Sequence, residues 1–315
     1  MIIATMMITV FTPTYNRVLL LRRLYESLMG QTVYDFEWIV VDDESTDDTK
    51  LFLEKVRNMN APFPIRTFTQ KHGGKHRAIN LALKHAQGRY FFIVDSDDWL
   101  PNNAIALLTK WLKGIEGIPY LCGVAGQKAS ADGTPVGTSF ASDEEFIEAS
   151  SLERKKLHME GDKAEVFDTE VLRAHPFPEF EGELFVTEGV CWNAIAADGY
   201  KLRWYQEPIY YCEYLEDGLT KTGANDLRGH LENFQGFCFY IRQCLTVKNR
   251  LESYQDFVDF EKTCDVMGLN ETERANALHW SRTVYRIKKR LIMPAIHNIK
   301  RLIYISQRLR SFSTR

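Results

Sequence analysis

The 315-residue sequence lacks the features that would tie it to a bilayer span, a zinc knuckle or a nucleic acid. No uninterrupted run of about 18 apolar residues occurs, so no segment reads as a transmembrane helix. The six cysteines (Cys122, Cys191, Cys212, Cys238, Cys244, Cys264) include no Cys-x-x-Cys pair, and no histidine stands at zinc-finger spacing. Reduced, buried thiols are therefore expected. The apolar first ten residues have neither a basic n-region nor a small-residue cleavage site, unlike a signal peptide. A net charge of only −3 gives no overall pull toward nucleic acid. Repeats and low-complexity tracts are absent too. A cytoplasmic globular protein is the expectation, and the 45% apolar and 12% aromatic content suffices for a large core.

Charge is unevenly placed. From Glu271 to Arg315 there are 11 Lys/Arg against 2 Asp/Glu, so this stretch carries +9 and the rest carries −12.

The first hundred residues alternate apolar runs with helical periodicity. Strands are expected at Met6–Phe11, Phe36–Val41, Ile65–Thr69 and Arg89–Val94. Between them, Arg17–Met29 places Leu20, Leu21, Leu24 and Leu28 on one helical face. Ser45–Val56 reads as a helix capped by Ser45 or Thr46, and Ala78–Ala86 as a helix stopped near Gly88. Such βαβ order implies a mostly parallel sheet flanked by helices, with ligands beyond the carboxyl ends of the strands. Later, Tyr120–Ala125 and Lys201–Tyr205 read as strands and Glu183–Ala196 as a helix. Ser130–Ser151 reads as a loop followed by a short helix, and helical periodicity dominates from Leu227 onward.

Three strand ends carry polar clusters: Thr12 with Tyr15, Asp42 with Asp43, and Asp95 with Asp97 and Asp98. Alternate carboxylates after a buried strand can offer oxygen ligands to Mg2+ or Mn2+, which completes its shell with water and substrate phosphates. The bland alternative is an acidic turn ahead of the helix near Asn102. Asp42 and Asp43 can accept hydrogen bonds from a nucleobase or ribose. The loop Lys71–Arg77 opens a helix with backbone N–H groups and Lys75 suited to a phosphate; a solvated basic face competes with that reading.

FTPTYNR (Phe11–Arg17), IVVDDESTDDT (Ile39–Thr49), INLALKHAQGRYFFIVDSDDWLPNNAI (Ile79–Ile105) and VTEGVCWNAIAADGYKLRWYQEPIYYCEYLEDGLT (Val186–Thr220) together resemble the inverting family 2 glycosyltransferases of the GT-A fold. That resemblance implies a Rossmann-like, mostly parallel α/β catalytic domain over residues 1–225, with 1–100 for a nucleotide-sugar donor and 101–225 for the acceptor. Residues 226–315 would form a helical, basic extension. It also implies that Thr12 and Tyr15 flank the donor's base, that Asp43 contacts the base with support from Asp42, and that Asp95 and Asp97, with Asp98 as a substitute, reach metal and ribose. Glu188 aligns with the family's catalytic base. The family's usual Glu-Asp is here Thr187-Glu188, which leaves one carboxylate, longer by a methylene. Trp192 and Asp217 are expected on the acceptor side and on a closing loop. The implied partners are a UDP-type nucleotide-sugar and a saccharide or polyprenyl-diphosphate-linked acceptor of surface polysaccharide assembly.

Arg282–Arg310 mixes cations with large apolar residues. This pattern suits a helix in a membrane interface on the inner face of the cell membrane, a helix docked on the catalytic core, or a partner-binding helix. Two further readings of the whole chain are a sugar nucleotidyltransferase and an inactive nucleotide-sugar-binding protein. The first normally has a Gly-rich phosphate loop after its first strand, where this chain has TPTYNR; intact Asp43, Asp95, Asp97 and Glu188 count against the second.

Overall fold

A computed structural model describes residues 6–213, 226–249 and 251–293. Asp217 and residues 294–310 of the basic segment lie outside the described residues. The chain divides into two compact units, residues 1–222 and 223–315.

In the first unit the order is β1 (Ile8–Thr14), α1 (Val18–Met29), β2 (Phe36–Asp42), α2 (Thr49–Arg57), β3 (Ile65–Thr69), α3 (Lys75–His85), β4 (Tyr90–Ile93) and α4 (Ala104–Lys113). It continues through β5 (Leu121–Ala129), β6 (Phe146–Ala149), β7 (Lys163–Asp168), α5 (Thr169–Ala174), α6 (Gly189–Ala197) and β8 (Lys201–Tyr211). The strands form one eight-stranded sheet in the order β3-β2-β1-β4-β7-β5-β8-β6. β3, β2, β1 and β4 run parallel, while β7 is antiparallel to both its neighbours, β4 and β5. The expected donor and acceptor portions therefore share a single sheet. Strands β1 and β2 are buried on both faces, as a sheet covered by helices on both sides requires. One apolar cluster joins Ile8, Val10 and Trp38 of the sheet to Leu21, Leu24 and Leu28 of α1 and to Leu108 and Trp111 of α4.

Chain order reverses between β1 and β4, since β2 lies on one side of β1 and β4 on the other. The crevice beyond these two strand ends is where a parallel α/β sheet opens a binding site.

Several sequence expectations are corrected. α2 begins at Thr49 rather than Ser45, because Ser45 and Thr46 serve the turn instead. The Ser45 hydroxyl accepts from Asn16 N (2.9 Å), and Thr46 N donates to the Asn16 side chain (2.7 Å). Asn16 has φ 52°, so the turn after β1 is left-handed and stitched to the turn after β2. Residues expected to form a loop and short helix contain strand β6, paired with β8 at the sheet edge. The whole of β7 is an addition to the sequence reading. α6 starts at Gly189, not Glu183. All six cysteines are free and buried, as expected.

The second unit holds α7 (Leu227–Glu232), α8 (Phe234–Val247), α9 (Tyr254–Val266), α10 (Glu271–Ala277) and α11 (Arg282–Ile292). Its own core gathers Ile241, Phe257, Phe260, Leu278 and Tyr285. Among the described residues, no helix is long and apolar enough to cross a membrane.

Candidate active site at the sheet's switch point

A cleft of about 400 Å3 opens at the crevice between the ends of β1 and β4. Its lining includes Tyr15 and Arg17 after β1, Asp43 after β2, Lys75 from α3, Asp95, Asp97 and Asp98 after β4, and Lys128 from β5.

Lys75 is its electrostatic centre. Its ammonium lies 2.6 Å from Asp95 Oδ1 and 2.8 Å from Glu188 Oε1, so one cation ties the acidic loop after β4 to the residue heading α6. Burial disfavours the Lys75 charge, yet Asp95 and Glu188 outweigh it and hold the amine well above its ordinary value. Asp95 is held below its ordinary value: burial pushes it up, but Lys75 and Lys128 prevail.

Its neighbours move the other way. Burial, then the charge of Asp95, push the Asp97 carboxyl up, and the same two causes push Asp98 to about 7. Tyr210 on β8 serves both ends of this loop: its hydroxyl accepts from Asp95 N (3.0 Å) and donates to Asp98 Oδ2 (2.6 Å). Lys128 Nζ sits 4.1 Å from the centroid of the Tyr210 ring. Arg23 on α1 donates to the Asp97 carbonyl and to Glu213 (2.7 Å), with its guanidinium 4.0 Å from the Trp99 ring centroid. The acidic loop is thus held by its backbone, and the Asp97 carboxylate makes no ion pair with a described side chain.

That arrangement fits a hard divalent cation. Among the described residues no three His, Cys, Asp or Glu side chains form a metal cage. Mg2+ and Mn2+ need only one or two carboxylates where substrate phosphates complete the shell. The raised carboxyls of Asp97 and Asp98 mark the negative charge that such an ion would relieve. Asp97 and Asp95 would hold it, while Asp98 has one oxygen committed to Tyr210.

The structure distributes the other predicted residues unequally. Tyr15 lines the cleft with its ring stacked on His72, centroids 4.3 Å apart. Asp43 lines it too, but Oδ1 accepts from Gly73 N (2.9 Å) and Gln70 Nε2 (2.7 Å), and Oδ2 meets Gly74 N (2.9 Å) and His72 Nδ1 (3.0 Å). A carboxylate offers about four lone-pair positions. All are in use, so Asp43 anchors the loop that delivers Lys75. Gly74 within this loop has φ 88°, and an added Cβ would lie 1.8 Å from the Leu184 carbonyl oxygen, so no other residue fits.

Thr12 and Asp42 are not brought to the cleft. Thr12 is fully buried and accepts from Trp38 Nε1 (3.0 Å), and Asp42 Oδ1 accepts from Ser45 N (3.0 Å) to close the turn after β2. Thr12 lies one residue short of the lining, which takes in Pro13, Thr14 and Tyr15 at the end of β1. Trp192 stacks on Phe167 at 4.3 Å and packs edge-on against Phe177, away from the cleft lining.

Sequence reasoning missed Lys128, Tyr210 and Arg23. Only Lys128 left a signal, as one cation at the end of the apolar run that forms β5. Glu165 on β7 was missed too. Its side chain is 12% exposed, with Arg154 Nη1 at 3.4 Å. Burial pushes its carboxyl up to about 7, against the partial relief of Arg154 and Lys128. A carboxyl whose folded pKa exceeds the unfolded 4.5 stabilises the fold fully below that value, and the contribution disappears as pH rises through about 7. Glu165→Gln is therefore expected to raise urea stability by less than about 1 kcal/mol at about pH 5 and by up to about 3 kcal/mol at about pH 8. Equal changes at both pH values would trace the effect to packing instead.

Comparison with known proteins agrees with this geometry. Residues 9–164 match the profile described as "Glycosyl transferase family 2". The chain is similar to the chondroitin synthase of Pasteurella multocida, with 33% identity over 104 residues; the match covers 33% of this chain but only 11% of the synthase. It is also similar to the GalNAc(5)-diNAcBac-PP-undecaprenol beta-1,3-glucosyltransferase of Campylobacter jejuni, with 23% identity across 82% of this chain and 79% of that one. Among solved structures it shares the fold of Staphylococcus aureus TarS 1–349 in complex with UDP-GlcNAc, at a TM-score of 0.61 and 20% identity, covering 86% of this chain and 75% of that one. With three of the four sequence motifs inside the matched span and the sheet reversing at β1 and β4 within it, residues 9–164 belong to a glycosyltransferase family 2 domain.

Proposed function

We propose that the chain transfers a sugar, with inversion, from a UDP-linked donor to a hydroxyl of a saccharide or polyprenyl-diphosphate-linked saccharide in surface polysaccharide assembly. The observation supporting this reading is the Lys75 bridge, in which one ammonium lining the cleft meets both Asp95 of the acidic loop and Glu188, the candidate base. The UDP-GlcNAc in the TarS complex supports the donor class, and the undecaprenol in the Campylobacter relative's name supports a lipid-linked acceptor at a membrane surface.

In this mechanism Tyr15 and His72 receive the nucleobase and Asp43 fixes the loop beneath it. A divalent cation held by Asp97 and Asp95 supplies charge stabilisation for the diphosphate when bound. Glu188 takes the proton from the acceptor hydroxyl, whose oxygen bonds to the anomeric carbon as the carbon–oxygen bond to the diphosphate breaks. The electron pair leaves with the diphosphate, and a single displacement inverts the centre. As Glu188 becomes neutral, the Lys75 ammonium keeps Asp95 and turns its remaining donors toward the leaving phosphate.

A thermal-shift comparison of UDP-GlcNAc, GDP-mannose and dTDP-glucose with Mn2+ or Mg2+ tests the donor class. A ligand binding only the folded state at a hundredfold excess over its Kd adds about 2.7 kcal/mol. UDP-GlcNAc with metal is expected to raise Tm above either alternative. A larger shift with GDP-mannose would overturn the UDP assignment.

A further inference from the structure

The transferase reading leaves one surface of the second unit unused. On α11, Val284, Ile287 and Leu291 are 40%, 53% and 49% exposed. At spacings of three and four they form one stripe along the helix. This is not the helix's core face, which buries Tyr285 and Ile292 against Phe257 and Phe260. An apolar stripe turned away from its own core marks a docking surface.

The cations of α11 fall into two sets. Arg282 pairs with Glu271 at 3.2 Å, Arg286 pairs with the same carboxylate, and Lys289 pairs with Glu261. Lys288 and Arg290 make no ion pair with a described residue. At 100° per residue they fall on opposite flanks of the Val284–Ile287–Leu291 stripe. The outward face is thus apolar along its centre and positive along both borders, within a stretch carrying +9 while the remainder carries −12.

We infer that α11 docks on an anionic lipid bilayer, with Val284, Ile287 and Leu291 at the acyl boundary and Lys288 and Arg290 on the headgroup phosphates. Charge selects this occupant. A second copy seated on the same face would set Lys288 and Arg290 against their own counterparts in a two-fold contact, whereas phosphates neutralise them. Arg286 and Lys289 of the basic pattern are paired within the unit, which leaves Lys288 and Arg290 to meet the phosphates. The inference stands apart from the transferase reading and survives its failure.

The test is co-flotation of the full chain with vesicles of phosphatidylcholine, alone or mixed with phosphatidylglycerol. Binding is expected on the mixed vesicles, weak on phosphatidylcholine and reversed by salt. Lys288→Glu/Arg290→Glu is expected to weaken partitioning at least about twentyfold, since each basic residue near an anionic surface contributes about fivefold. Ile287→Ser/Leu291→Ser is expected to abolish it with unchanged circular dichroism, because both side chains are exposed. Arg282→Gln, whose charge is already paired, is expected to change it by less than about twofold. Absence of wild-type flotation on the anionic vesicles, or wild-type flotation by the serine pair, would overturn the inference. So would sedimentation showing that α11 variants alter self-association and not lipid binding.

Discussion

Glu188→Gln is expected to lower the turnover of sugar transfer by about 100- to 10,000-fold, the usual range for loss of a general base. Donor binding should survive, because Glu188 heads α6, is not part of the cleft lining, and meets the cleft through its ion pair with Lys75. The glutamine keeps an oxygen for Lys75, and Lys75 keeps Asp95 at 2.6 Å, so the cleft should remain assembled. Turnover and the metal-dependent thermal shift with UDP are the paired measurements. A fall in turnover with the shift retained assigns Glu188 to the acceptor proton. Loss of both would make Glu188 a structural partner of Lys75, and unchanged turnover would dismiss it as the base. Glu188→Asp sharpens the comparison: it restores the charge but withdraws it by a methylene, so partial recovery with a raised KM for the acceptor is expected.

How legible was this site? The parallel half of the sheet was readable because β1, β2 and β4 are continuous apolar runs, each ending in polar residues, and a buried strand leaves few other patterns. β7 was not readable. It carries Lys163, Glu165 and Asp168 at alternating or terminal positions, and its charged side chains are accommodated by Arg154 and by backbone carbonyls that only the folded chain supplies. The same limit applies to Thr12 and Asp42. Motif position marks which loop meets the cleft, but where along the strand the lining begins and the demands of a turn decide which side chain enters it. Asp43 shows the converse. Its place at the strand end was plain, yet its work on Gln70, Gly73 and Gly74 depends on a loop 30 residues away closing over it. Lys75, read from sequence as a phosphate ligand beside a helix terminus, proves to be the residue on which both acidic groups converge.

Three adjacent carboxylates, of which the sequence reading favours Asp97 for the ion, differ in their partners. Asp95 is neutralised by Lys75, Asp98 Oδ2 accepts the hydrogen bond of the Tyr210 hydroxyl, and the Asp97 carboxylate is left without a described ion-pair partner while its backbone is pinned by Arg23. Asp97 is therefore the group expected to gain most from a divalent cation, because its carboxylate, unlike those of Asp95 and Asp98, is not already held by Lys75 or Tyr210. Asp97→Asn is expected to remove the metal-dependent part of the UDP thermal shift and to lower turnover by about 100- to 1,000-fold, as loss of preorganised charge stabilisation does. Asn preserves shape, and relieving one of three crowded acids should leave the apo fold as stable or slightly more so. Asp98→Asn should behave differently, keeping most of the metal response, while its weaker acceptance from Tyr210 and the removal of a buried charge oppose each other in stability. If the two variants exchange these behaviours, the ion belongs to Asp98 and the Tyr210 hydroxyl must turn away to admit it.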